Sequence, residues 1–243
     1  MIVWRYVVSA IFVVQMYLVM AVLSIVYLPW MAVSPMGARR ACWNYCRWVR
    51  WTARWMLGLR SEIRGTVPDG EILVAAKHQS FFDILLIFGS LPAAKFIMKR
   101  ELLFAPILGQ YAYRIGCVPV DRGRRGRAIE KMLSDVRRGL VAPGQLVIYP
   151  QGTRIDPGVA APYKRGTHVL YEQLSQACVP VATNVGLFWP RRGLLRRPGT
   201  AVVEFGDPIP PGLPKAEFMA RLEAEIERQS DRLMAEAGWP PLR

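Results

Sequence analysis

The chain has 243 residues, with 32 Lys and Arg against 18 Asp and Glu, and a formal net charge of +14. A hydrophobic content of 52% excludes a disordered basic tail, because disordered segments are poor in apolar residues. The excess of positive charge predicts attraction to polyanions, which include nucleic acid, anionic lipid headgroups and phosphorylated substrates.

The first predicted element is an apolar helical segment that meets a membrane. Residues 6–38 form a stretch of 33 residues without a charged side chain. As one helix it would be about 50 Å long, whereas the core of a bilayer is about 30 Å thick. The segment is therefore either a tilted span that continues into the interface or a helix that breaks near Pro29 and re-enters. A cleaved signal peptide is disfavoured, because its apolar region is much shorter.

Arginine and tryptophan dominate the next segment, from Arg39 to Arg60. It contains six arginines and no acid, and at helical periodicity the tryptophans form a stripe beside the arginines. This pattern is typical of a helix in the headgroup layer. We therefore predict a membrane-embedded or interfacial segment over residues 1–60, with residues 61–243 as a catalytic domain. Positive charge after the apolar run places that domain on the cytoplasmic face of the cell membrane.

From residue 62 onward, short apolar runs alternate with helical patterns. Strands are predicted at 71–76, 116–120, 145–150, 179–188 and 201–206, and the intervening helices include 128–140 and 168–177. A long charged helix closes the chain. This alternation predicts an α/β fold with a central, largely parallel sheet flanked by helices. In such sheets, functional side chains collect where strands end and helices begin.

The stretch KHQSFFD, residues 77–83, follows the first of these strands and has two interpretations. Ser80 and Asp83 have the spacing of a capping box at a helix start. Alternatively, a turn after His78 brings Asp83 to its Nδ1, which would leave Nε2 free to take a proton from a hydroxyl group. The two roles are compatible, so a second motif has to decide between them.

The second motif is YPQGTR, residues 149–154, which follows another strand. Gly152 allows the backbone to approach an anion, Thr153 supplies hydroxyl and amide donors, and Arg154 offers a planar fork for phosphate. The chain lacks G-x-S-x-G and has no metal-ligand spacing among its cysteines and two histidines, so we expect neither a serine esterase nor a metal.

The order of these motifs resembles that of the 1-acyl-glycerol-3-phosphate acyltransferases, also called lysophosphatidic acid acyltransferases. HQSFFD, KRELLFAPILGQYAYRIGCVPVDR (99–122), YPQGTR and VPVA (179–182) occur in sequence, and the resemblance covers roughly residues 60–210. It implies the glycerolipid acyltransferase fold and transfer of an acyl group from acyl-CoA or acyl carrier protein to the sn-2 hydroxyl of 1-acyl-glycerol-3-phosphate, giving phosphatidic acid for phospholipid synthesis. It implies no cofactor beyond the thioester co-substrate.

Carried over to this sequence, the resemblance assigns His78 as the base and Asp83 as the residue that orients it. The residues implied for substrate binding are Lys99, Arg122, Gln151, Gly152, Thr153 and Arg154. Val179 and Pro180 fall in the fourth motif, which is associated with the acyl side or with packing. The partners implied are a lysophospholipid acceptor, an acyl thioester donor and membrane lipid.

One departure from the family pattern concerns the acceptor. Gln151 stands where the family usually has Glu, and Tyr149 where it usually has Phe. Because Gln carries no negative charge, a different lysolipid acceptor is an alternative. A thioester or ester hydrolase, with His78 activating water, is another. A basic nucleic-acid-binding protein is disfavoured, since no nucleic-acid module is recognisable, and we expect no nucleic-acid partner.

Overall fold

Three helices precede the sheet in the computed structural model, which describes residues 2–120, 134 and 143–239. Helices α1 (Ile2–Val26) and α2 (Leu28–Val33) are separated at Tyr27, and Pro29 lies in the first turn of α2. Ser34 is extended and caps α3 (Pro35–Leu57), which ends at Gly58 in the left-handed conformation. The predicted break near Pro29 is therefore present, at Tyr27.

The chain turns back after this break, so that α3 runs antiparallel to α1. Gln15 of α1 donates a hydrogen bond to Thr52 at 3.2 Å and accepts one from Trp48 at 2.7 Å. Nearer the turn, Asn44 donates to the Tyr27 hydroxyl. Within the described residues, α1 alone is long and apolar enough to cross a bilayer, and most of its side chains are exposed. An exposed apolar helix of this length favours membrane association.

The described strands form one mixed sheet of seven strands in the order β1-β7-β6-β2-β5-β3-β4. Their bounds are β1 Leu59–Arg64, β2 Leu73–Ala76, β3 Lys95–Lys99, β4 Val118–Val120, β5 Leu146–Ile148, β6 Cys178–Thr183 and β7 Gly199–Phe205. All neighbouring pairs are parallel except β6 and β7. The predicted α/β fold with a largely parallel sheet is therefore confirmed, although β1 and β3 are additional strands.

Helices cover both faces of this sheet, and the central strands β2 and β5 are apolar on both faces for that reason. Along β2, Val74 and Ala76 pack into the layer with α3 and α4 (Phe82–Ser90). The alternate residues Leu73 and Ala75 pack into the opposite layer. That layer includes α6 (Gly166–Leu174) and α7 (Lys215–Glu236), while α5 (Leu108–Arg114) lies between β3 and β4 in the chain.

Two predicted elements need comment. The strand predicted at 179–188 ends at Thr183, and the chain continues as a 3₁₀ turn over Val185–Leu187. The predicted strand was too long, because Leu187 and Phe188 are apolar and buried but are not extended. Of the helix predicted at 128–140, only Ser134 is among the described residues, and it is helical.

The topology brings several chain segments to one edge of the sheet. Because β2, β3, β5 and β6 are mutually parallel, their carboxyl ends lie along the same edge. Lys99 ends β3, and the chain continues from β2 into His78 and from β5 into Tyr149. The sheet thus places the two sequence motifs next to each other.

The turn after β1 offers a test of steric fit in this fold. Gly65 (φ +74°) and Gly70 (φ +71°) are both left-handed, but a Cβ on Gly65 would lie 1.9 Å from the Phe205 carbonyl oxygen, whereas Gly70 faces open space. We expect Gly70→Ala to cost about 1–2 kcal/mol from backbone strain, lowering Tm by roughly 2–8 °C.

Gly65→Ala carries the same strain and must also displace the end of β7, so we expect roughly twice the loss of Tm or more. Thermal unfolding of the two full-length variants in the same detergent measures this difference. Equal shifts in Tm would show that the close contact with Phe205 does not constrain the turn.

Candidate active site

His78 is held where the chain leaves the sheet at the end of β2. The preceding residue, Lys77, continues the strand ladder by donating its amide to the Val181 carbonyl at 2.8 Å. The His78 carbonyl then accepts the amide of Ile155 at 2.8 Å, so the backbone next to Arg154 is attached directly to the backbone of His78. The histidine side chain is 13% exposed, so part of the imidazole is accessible to solvent.

Asp83 contacts His78 from the first turn of α4 and is fully buried. Its Oδ1 lies 2.9 Å from Nδ1 of His78, while its Oδ2 accepts the amides of Gln79 at 2.8 Å and Ser80 at 2.7 Å. The Ser80 hydroxyl accepts the amide of Phe82 at 3.2 Å. The capping and orienting arrangements predicted from the sequence are therefore both present in one geometry.

This geometry fixes the tautomer of the imidazole. A carboxylate only accepts hydrogen bonds, so Nδ1 of His78 carries the proton that it shares with Asp83. In the neutral imidazole, Nε2 is then the nitrogen without a proton and the atom that can accept one. The arrangement of an imidazole oriented by a buried carboxylate is the general form of a base that activates a hydroxyl group.

Tyr149, the first residue after β5, supports the His78 ring. The two rings are stacked with centroids 3.9 Å apart and planes 18° apart. The phenol hydroxyl donates to Oδ1 of Asp83 over 3.4 Å. Burial, followed by the charge of Asp83 and the hydrogen bond to it, raises the pKa of Tyr149 well above its ordinary value. The hydroxyl thus stays protonated, and the ring acts mainly as a wall for the imidazole.

The loop after Tyr149 contains a glycine where the backbone is left-handed and where the end of the Lys164 side chain comes close. Gly152 has a φ of +70°, and a Cβ there would lie 2.7 Å from Nζ of Lys164. The Gly152 amide closes a turn onto the Tyr149 carbonyl at 2.8 Å, and the Lys164 amide donates to the Pro150 carbonyl at 3.0 Å. The ammonium group of Lys164 therefore lies against the predicted anion-binding loop, and sequence analysis missed this residue.

The other residues of the second motif have different surroundings. Arg154 is half-buried, and one of its guanidinium nitrogens donates to the Arg191 carbonyl at 3.4 Å. Thr153 is exposed. Gln151 is only 4% exposed and its side-chain amide donates to the Ala161 carbonyl at 3.4 Å, so it braces the loop from inside.

The remaining candidate residues are divided between the same edge and the interior. Lys99 is exposed at the carboxyl end of β3, on the edge that carries His78. Arg122 lies outside the described residues. Val179 and Pro180 are buried within β6, where the Pro180 carbonyl accepts the Gly206 amide at 2.9 Å. This position is consistent with a role in packing.

A partly buried ion pair lies next to the end of β2 and was not predicted. Nζ of Lys77 contacts the carboxylate of Glu227 on α7 at 2.5 Å, and Lys77 is 4% exposed. The Tyr163 hydroxyl donates to the same carboxylate at 2.8 Å. Burial, followed by the charge of Glu227, raises the pKa of both Tyr163 and Asp231. The pair fastens α7 and the 151–164 loop to the residue that precedes His78.

Gln79 attaches the site to the segment after β6. Its side-chain oxygen accepts the amide of Gly186 at 3.0 Å, and the side-chain amide lies 3.9 Å from the sulfur of Met234. A Cβ on Gly186 would lie 2.8 Å from Pro157 and 2.9 Å from Cβ of Gln79. Three separate chain segments therefore close-pack around the residues that follow His78.

Comparison with solved structures supports the architecture. The crystal structure of the 1-acyl-sn-glycerophosphate (LPA) acyltransferase PlsC from Thermotoga maritima superposes with a TM-score of 0.77, covering 95% of this chain and 98% of that one. At 20% sequence identity, this similarity shows that the two chains share a fold.

Curated relatives agree with this comparison. The 1-acyl-sn-glycerol-3-phosphate acyltransferase of Pseudomonas aeruginosa is 28% identical over 195 residues, which cover 79% of this chain and 76% of that protein. The human 1-acyl-sn-glycerol-3-phosphate acyltransferase alpha is 33% identical over 132 residues, or 53% of this chain. That alignment spans 47% of the human protein, about half of its length.

The profile of the Acyltransferase family matches residues 59–184. This match begins at the first strand and ends one residue after β6, so it includes the His78–Asp83 pair and the 149–154 loop. It covers 126 of the 243 residues, and the chain belongs to the Acyltransferase family.

Proposed function

We propose that this acyltransferase moves a fatty acyl group from an acyl thioester to the sn-2 hydroxyl of 1-acyl-glycerol-3-phosphate, giving phosphatidic acid. The donor is acyl-CoA or acyl carrier protein. The observation that carries the proposal is the 2.9 Å contact between Nδ1 of His78 and Asp83, next to the loop that holds Arg154. The names of the bacterial and human relatives support the choice of acceptor.

The reaction uses His78 first as a base and then as an acid. Nε2 takes the proton of the acceptor hydroxyl as its oxygen attacks the thioester carbonyl carbon. The tetrahedral intermediate then collapses, the carbon–sulfur bond breaks, and the departing thiolate takes the proton from His78. A thioester is already activated, so base catalysis worth about 10²- to 10⁴-fold together with positioning supplies much of the acceleration. Asp83 holds the ring and stabilises its protonated form between these steps.

Cationic groups on the same edge suit a phosphorylated acceptor. Arg154 lies near His78, because the amide of the next residue, Ile155, donates to the His78 carbonyl. The Lys164 side chain contacts Gly152, and Lys99 is the last residue of β3 on the same edge. A guanidinium binds phosphate in a bidentate manner. Exposed apolar α1 would keep these groups at the bilayer surface, where a lysolipid resides, and the arginines that follow it favour the cytoplasmic face of the cell membrane.

His78→Ala removes the proposed base, and we expect acyl transfer to fall by about 10²- to 10⁴-fold or more. Product mass from a lysolipid panel with labelled acyl-CoA and acyl carrier protein donors measures transfer. His168→Gln changes the other histidine, which lies on α6, and should retain turnover. Purified His78→Ala protein with more than a tenth of parental turnover would remove His78 from the mechanism.

The same assay separates transfer from hydrolysis. We expect release of thiol to depend on the lysolipid acceptor, because the base is positioned to activate its hydroxyl. Equal release without an acceptor would favour a hydrolase in which His78 activates water.

Arg154→Ala should chiefly weaken use of the acceptor. Loss of a charge-assisted hydrogen bond costs about 1.5–3 kcal/mol, so KM for the lysolipid should rise by about 10- to 100-fold with little change in KM for the donor. Arg165→Ala, an exposed arginine at the start of α6, is the control of equal charge. A defect confined to the acyl donor would contradict the proposed role.

Substitutions at Tyr149 separate its ring from its hydroxyl. The hydroxyl contact of 3.4 Å is long for a hydrogen bond, whereas the ring is stacked on His78. We therefore expect Tyr149→Phe to keep kcat within about twofold and Tyr149→Leu to lower it by about tenfold at similar Tm. If Phe impaired kcat as strongly as Leu, the hydroxyl rather than the stack would be the important contact.

A further inference from the structure

A cleft between α3 and β1, the outermost strand of the sheet, is lined by arginines that the proposed reaction does not use. Its volume is about 510 Å³. Arg50 and Arg54 reach it from α3, and Arg60 reaches it from β1. Trp51 forms an apolar part of the wall, and Ser61 and Thr200 supply hydroxyl groups.

The positive charge of this cleft is not neutralised by neighbouring acids. Among the described residues that line it, Glu62 is the only acid, and both of its oxygens contact Arg64, at 3.0 and 3.3 Å. Within the described residues, Arg54 and Arg60 form no ion pair. Arg50 donates to the Ser61 hydroxyl at 2.9 Å, and burial lowers its pKa. A bound anion would therefore offset the burial of the Arg50 guanidinium, and it would also face Arg54 and Arg60.

The cleft lies along the same edge of the sheet as His78. Strand β7 is antiparallel to β6 and pairs Val203 with Thr183, so β7 begins where β6 and β2 end. Strand β1 is parallel to β7 and pairs Arg60 with Thr200. The starts of β1 and β7, which form one wall of the cleft, are thus at the edge that carries the candidate active site.

The surroundings of the cleft favour a lipid over a free anion. Trp51 and Trp55 are 55% and 70% exposed on α3, and the exposed apolar helix α1 packs along the same helix. Indole groups prefer the boundary between headgroups and acyl chains. Arginine next to exposed tryptophan therefore matches the headgroup layer better than it matches bulk water.

We infer that this cleft binds the phosphate of an anionic membrane phospholipid that is not a substrate. The guanidinium groups bind the headgroup phosphate, and the side chains of Trp51 and Trp55 lie at the level of the glycerol backbone. Because β1 and β2 belong to one sheet, this contact would fix how the edge with His78 faces the bilayer. The cleft adjoins β1, three strands from β2, and its lining does not include Arg154.

The test measures binding of dihexanoyl phosphatidylglycerol to the full chain in neutral detergent, by native mass spectrometry. All proteins carry Arg154→Ala, so that binding at the acceptor site is suppressed and the result does not depend on the proposed reaction. Each arginine near a headgroup contributes about a fivefold effect on affinity. We expect Arg54→Ala/Arg60→Ala to raise Kd on the order of twentyfold. Both side chains are exposed, and Tm monitors folding.

Lys215→Ala/Arg221→Ala removes the same charge from exposed positions on α7 and should leave Kd within about twofold. Dihexanoyl phosphatidylcholine, which has no net charge, should bind weakly to every variant. Equal phosphatidylglycerol affinity in the parent and in Arg54→Ala/Arg60→Ala would overturn the inference. Displacement of the lipid by inorganic phosphate at equal concentration would also overturn it, by identifying a site for free phosphate.

Discussion

The geometry of the candidate active site depends on how the buried Asp83 carboxylate divides its two oxygens. One oxygen accepts the amides of Gln79 and Ser80, and the other contacts Nδ1 of His78. A fully buried carboxylate without donors would cost several kcal/mol, and these donors offset that cost. The start of α4 and the orientation of the imidazole are therefore one interaction. The amide contacts of a helix start and the contact with the imidazole, which the sequence presents as two interpretations, are made by the same carboxylate.

The contact between Asp83 and His78 lies among the other residues of the candidate site only because distant segments of the chain converge at one edge of the sheet. Parallel β2 and β5 bring Tyr149 onto the His78 ring, and the amide of Ile155 joins the two segments. On the other side, the Lys77–Glu227 pair attaches α7 to the end of β2. His78 is thus held by stacking, by hydrogen bonds and by its own backbone, so that little reorganisation would be needed in the proposed role as a base.

The parts of the fold that could be predicted are those with a local signal. Strands β2 and β5 read as short apolar runs because helices cover both of their faces. Strand β1 was missed because it is an edge strand in which four of the six residues are polar, and β3 because lysines bound a run of three apolar residues. The contacts of Lys77 with Glu227 and of Lys164 with Gly152 had no local signal. They join residues that only the folded topology brings together.

The departure from the family pattern at Gln151 also has a structural account. The side-chain amide of Gln151 donates to the Ala161 carbonyl from a buried position. A carboxylate at the same place would face the Ala161 carbonyl oxygen, and two acceptors cannot form a hydrogen bond with each other. The negative charge would then be buried without a donor at that position. The amide is therefore matched to the path of this loop, which places Lys164 against Gly152. On this geometry, recognition of the acceptor phosphate would fall to Arg154 and its cationic neighbours, because the side chain at 151 is engaged in holding the loop that presents them.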